Sequence, residues 1–154
     1  ILGSGDGTCS RELRRLSRRL GVSREVILWG DISYREMPKA YSSMDIFVST
    51  SSNDSSSSTV LEAMACERPV VVYDSGASSE IVTHQGTGLH VRSGSIEALA
   101  DAVIYLLKNP VEARNLGMHA RGFVQENLTW KHHAARLRLE MTGVVSSRSV
   151  PRLT

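Results

Sequence analysis

Asp45-Ile46-Phe47-Val48-Ser49-Thr50, a serine tract, Leu61-Glu62-Ala63-Met64 and Pro69-Val70-Val71-Val72-Tyr73 follow one another in mid-chain. The first and last pieces are short, branched and nearly continuously apolar, as strands buried on both faces of a parallel sheet must be. The piece between them reads as a helix over about 58–66, so the three predict a βαβ unit with a right-handed crossover. The alternation extends both ways: Val26-Ile27-Leu28-Trp29 ends at Gly30, and Gly88-Leu89-His90-Val91 ends at the Ser93-Gly94 turn. Helices are predicted over 34–44, behind a Ser33-x-x-Glu36 capping box, and near 78–83. Pro38 makes the first of these begin with an irregular turn or restart. The reading is an α/β fold: a Rossmann-like parallel sheet with helices on both faces.

After residue 94 the strands stop, and helices are expected from a Ser95 cap to Asn109-Pro110, over 111–126 and over 130–142. This makes a helical C-terminus, with one domain over 1–145 and a flexible tail over 146–154. Near the other end, Leu13, Leu16 and Leu20 recur at helical spacing before Gly21, opposite Arg11, Arg14, Arg15, Arg18 and Arg19. That basic face is either a solvated helix surface or a patch for anionic lipid or phosphate. Ile1-Leu2 running into Gly3-Ser4-Gly5-Asp6-Gly7 reads as the end of a strand, so the natural protein is expected to continue upstream.

Composition excludes several classes. With 41% hydrophobic residues among 154, the chain has enough apolar material for a core, and wholesale disorder is out. No apolar run approaches the roughly 20 residues that cross a bilayer. Cys9 and Cys66 cannot make a disulfide scaffold, and a net charge of +2 calls for no nucleic acid. The histidines form no metal set; His132 and His133, being adjacent, point apart on a helix. There is no Gly-Lys-Ser/Thr phosphate loop and no nucleophile elbow, and Gly3-Ser4-Gly5 lacks the third glycine of a dinucleotide fingerprint.

Ligands of open α/β sheets bind beyond the carboxyl ends of the strands, which singles out loops 3–8, 29–33, 50–58, 74–78 and 92–95. In the third of these, Asp54 precedes Glu62 by eight positions across Ser55, Ser56, Ser57, Ser58, Thr59, Val60 and Leu61. A polar loop feeding a helix N-terminus is an anion site, and acids flanking it can hold sugar hydroxyls. Spacing alone equally allows an ordinary surface glutamate and a turn aspartate.

The combination Met44-Asp45-Ile46-Phe47-Val48-Ser49, Asp54-x7-Glu62-Ala63-Met64-Ala65-Cys66 and Pro69-Val70-Val71 resembles the C-terminal domain of group-one, or family-four, retaining GT-B glycosyltransferases. The flanks agree over about 1–142: Gly3-Ser4-Gly5-Asp6, the Val26 to Gly30 strand, Glu80-Ile81-Val82 with Gly86-x-Gly88-Leu89, and Leu128-Thr129-Trp130. The resemblance implies the C-terminal half of a GT-B fold that binds a nucleotide-diphosphate sugar as substrate and needs no cofactor or metal. It implies that Glu62 holds the ribose hydroxyls and that Asp54, the catalytic candidate, contacts hydroxyls of the transferred sugar. Backbone N–H groups near Ser57, Ser58, Thr59, Val60 and Leu61 would face the diphosphate, and the loop at Gly30 and Asp31 would border the base.

The expected activity is sugar transfer with retention to a glycan or lipid acceptor held by an absent N-terminal half, so this chain alone is expected to be inactive. A cytoplasmic location, peripheral to a membrane at most, fits that reading. Three departures from the family pattern motivate a non-catalytic nucleotide-sugar-binding paralogue as an alternative, beside a GT-B epimerase. Asp54 replaces a glutamate, Ser57 replaces a glycine and so hinders close backbone approach, and Glu67 replaces the glycine after the cysteine.

Overall fold

A computed structural model describes residues 1, 7–51 and 57–147. The expectations for Gly3-Ser4-Gly5-Asp6, for Asp54 and for the tail from 148 onward lie outside the described residues. The chain divides into two compact units, Ile1–Ala40 and Tyr41–Thr154.

In the first unit, α1 (Gly7–Arg19) buries Ser17 and exposes the five arginines. It stops as its sequence predicts. Gly21 adopts φ +74°, its N–H bonds the Arg18 carbonyl, and the Val22 N–H reaches back to the Ser17 carbonyl. That pair of bonds is the Schellman ending, which needs a left-handed residue at this place. The strand predicted at Val26–Trp29 is a correction: among the described residues no strand is assigned there, and a single bridge residue, Gly30, follows it. The Ile1 amine donates to the Ile27 carbonyl at 2.7 Å and the Trp29 N–H to the Ile1 carbonyl at 2.9 Å.

Ser33 donates its hydroxyl to Glu36 Oε2 at 2.6 Å, and a turn bond joins the Glu36 N–H to the Ser33 carbonyl. The α2 helix (Met37–Ser42) begins only after this turn, so that Pro38 falls in the first turn, where its missing N–H costs nothing.

The second unit contains a parallel sheet in the order β1 (Phe47–Ser49), β2 (Val70–Tyr73), β3 (Leu89–Val91). Val48 pairs with Val71, and Val72 with His90. The crossovers carry α3 (Ser58–Ala65) and α4 (Ala77–Ile81), and α5 (Ile96–Lys108), α6 (Pro110–Asn127) and α7 (Trp130–Ser147) follow. All four residues of β2 are buried, because the strand is central and covered on both faces. Val71 and Tyr73 pack with Leu89, Val91, Leu106 of α5 and Leu116 of α6. Alternation turns Val70 and Val72 to the other face, and both α3 and α4 lie against β2. The Ser95 hydroxyl caps α5 by accepting from the Ala98 N–H at 3.2 Å. The last helix runs to Ser147, beyond the predicted 142. Among the described residues no helix is long and apolar enough to cross a membrane.

Candidate functional site

The strands of a parallel sheet all present their carboxyl ends at one edge, and α3 starts there after β1. Its N-cap, Ser57, makes no side-chain cap bond. The Ser57 side chain is 2% exposed, and its hydroxyl lies 2.9 Å from that of Ser78, itself 1% exposed on α4. The residue that departs from the family glycine therefore turns its side chain into the protein. Ser58 and Thr59 are exposed and Val60 is buried. The first-turn N–H groups of Ser58, Thr59 and Val60 have no acceptor within the helix. Leu61 differs: its N–H is bonded to the Ser57 carbonyl at 2.9 Å, which removes it from the expected set of free donors.

Glu62 stands one turn further along α3, half-buried. Its Oε2 accepts the Tyr41 hydroxyl at 2.9 Å. Tyr41 is 2% exposed, and its ring meets Phe47 edge-on with centroids 5.7 Å apart. Burial first, then the hydrogen bond to Glu62 and the charges of Glu62 and Cys66, push the Tyr41 hydroxyl well above the usual tyrosine range. It is a permanent donor at neutral pH. Glu62 is thus no free surface glutamate: among the described residues one carboxylate oxygen is held and the other accepts no hydrogen bond.

Gly30 and Asp31 belong to the first unit. Gly30 has φ +79° with open space where a Cβ would stand, and Asp31 is exposed. Among the described residues no group of three His, Cys, Asp or Glu side chains could hold a metal ion. Glu67, in place of the family glycine, adopts φ +62° at the end of α3. Sequence reasoning missed Tyr41 and Ser78. Tyr41 reads only as an apolar member of a helix, and Ser78 as one polar residue among several.

The arrangement can take an anion on backbone N–H groups and a diol on a carboxylate, the two demands of a nucleoside diphosphate. Comparison with known proteins shows the family. The family model described as "Glycosyl transferases group 1" matches residues 1–123, and the chain belongs to that family. It is 30% identical over 146 residues to the GDP-mannose-dependent alpha-(1-6)-phosphatidylinositol monomannoside mannosyltransferase of Mycolicibacterium smegmatis, spanning 90% of this chain and 38% of that enzyme. Among solved GT-B structures, sucrose-phosphate synthase of Thermosynechococcus elongatus superposes with a TM-score of 0.84 at 27% identity, over 94% of this chain and 36% of the synthase. The C-terminal domain of the group 1 protein LpcC of Francisella tularensis gives 0.75 at 25% identity, over 81% of this chain and 65% of that domain.

Proposed function

We propose that this chain is the donor-binding half of a retaining glycosyltransferase that takes its sugar from a nucleotide diphosphate. The observation that carries the reading is the held carboxylate of Glu62 on the same helix as the first turn of Ser58, Thr59 and Val60, whose N-cap side chain makes no cap bond. The N–H groups of that turn would hold the diphosphate with the helix dipole behind them, and Glu62 would accept the ribose hydroxyls. Asp54 would contact the transferred sugar. The name of the mycobacterial relative supports a nucleotide-sugar donor and a lipid acceptor. An acceptor-binding half on the remainder of a longer protein would complete the cleft, so this chain alone would not transfer sugar.

Calorimetry with GDP and UDP on the full-length protein tests the reading. Wild type should bind one of them, and Glu62→Ala should lose charge-assisted hydrogen bonds, about ten- to a hundredfold in affinity. Equal affinity in Glu62→Ala would remove Glu62 from the donor site.

A further inference from the structure

We propose that Tyr41 is the positioning residue of the donor site, holding Glu62 so that its open oxygen meets the ribose of a nucleoside diphosphate. The inference rests on the donor-site reading above and deepens it. A glutamate on an exposed helix face turns about three bonds, and binding must freeze them. Here they are fixed beforehand. The Tyr41 hydroxyl occupies one lone-pair site of Oε2, 2.9 Å away. Among the described residues that leaves Oε1 whole and a second site on Oε2, enough for the two hydroxyls of a diol.

Tyr41 is itself immobile. It is 2% exposed and set edge-on to Phe47, the first residue of β1. Position is therefore handed from the sheet to a ring, from the ring to a hydroxyl, and from the hydroxyl to the carboxylate. Tyr41 meets the donor only through Glu62.

The experiment is a double-mutant cycle on the full-length protein, read by calorimetry with the bound nucleoside diphosphate and its 2′-deoxy analogue. Tyr41→Phe keeps the ring and should weaken the ribonucleotide about three- to thirtyfold while narrowing its advantage over the deoxy form. Added to Glu62→Ala, Tyr41→Phe should change nothing further, since its effect runs through the missing carboxylate. An unchanged affinity and ratio in Tyr41→Phe overturns the inference and leaves the donor site standing. An equal loss in both backgrounds assigns Tyr41 a structural role only and also overturns it. Failure of wild type to bind either nucleotide, or an unaffected Glu62→Ala, overturns the donor-site reading and this inference with it. Should Tyr41→Phe not fold, a ring-fluorinated tyrosine at position 41, a stronger donor of the same shape, must shift the ribo-to-deoxy ratio. A ratio that stays put overturns the proposal.

Discussion

The hydroxyls of Ser57 and Ser78 lie 2.9 Å apart in a place sealed from solvent, and they tie the residue that opens α3 to the helix that follows β2. Restoring the family glycine with Ser57→Gly would strand the Ser78 hydroxyl, 1% exposed, without that partner. A buried unsatisfied hydroxyl costs about 1–3 kcal/mol. Urea unfolding should show that loss for Ser57→Gly, and a smaller one for Ser57→Ala combined with Ser78→Ala, where no hydroxyl is orphaned.

Glu67 should respond in the opposite direction. Its φ of +62° is the left-handed conformation, which costs an L-residue roughly 1–2 kcal/mol and glycine almost nothing. The exposed ion pair to Arg121, 3.6 Å long, returns no more than about 1 kcal/mol. Glu67→Gly should therefore raise stability by up to about 2 kcal/mol, while Glu67→Ala, which keeps the strain and loses the pair, should not. Matched denaturation midpoints decide it.

Two native glycines admit no side chain. A Cβ on Gly88 would stand 2.8 Å from the Val70 carbonyl oxygen and 2.7 Å from Val82 Cγ1, in the layer between sheet and helix. A Cβ on Gly117 would be driven into the Glu67 carbonyl oxygen. Gly88→Ala and Gly117→Ala should each cost about 1–3 kcal/mol or more. Gly122→Ala, with nothing within 4 Å, should be neutral or slightly stabilising by helix propensity. Thermal melting of the three variants gives the order.

Alkaline stability should report on Tyr41. Folding raises its pKa above the ordinary value of 10.0, so the folded state keeps a proton that the unfolded state releases first. The stabilisation is complete below that value and is lost as pH climbs toward the folded pKa. Wild type should weaken above about pH 10 more steeply than Tyr41→Phe. Parallel slopes for the two in urea melts at pH 9–11 would contradict the burial of the hydroxyl.

The sheet was legible because its strands lie in short, mostly apolar and branched runs: Phe47–Ser49, Val70–Tyr73 and Leu89–Val91 all fall inside stretches that could be read directly. The Ser95 cap, the delayed start of the helix at Pro38 and the stop at Gly21 were legible for the same reason, each being local chemistry at fixed offsets. The Tyr41–Glu62 bond was not, since it joins side chains 21 positions apart and leaves no periodic trace. Ser57 shows the limit from the other side. A departure from a motif tells what is missing there, here a glycine, and only packing tells where the new hydroxyl goes.

The seat of Gly117 on the Glu67 carbonyl also bears on how the chain tolerates changes of length. A helix turns about 100° per residue. One residue inserted between Pro110 and Leu116 would carry Gly117 off that seat and swing Leu116 onto it, emptying Leu116's place beside Leu106 and Val71. Exposed positions on the outer side of α6, such as Val111, Arg114 and His119, are open to substitution, but the count from Pro110 to Gly117 is not open to revision. Length variation among relatives that share this contact should therefore avoid the first two turns of α6 and gather in the connections outside it.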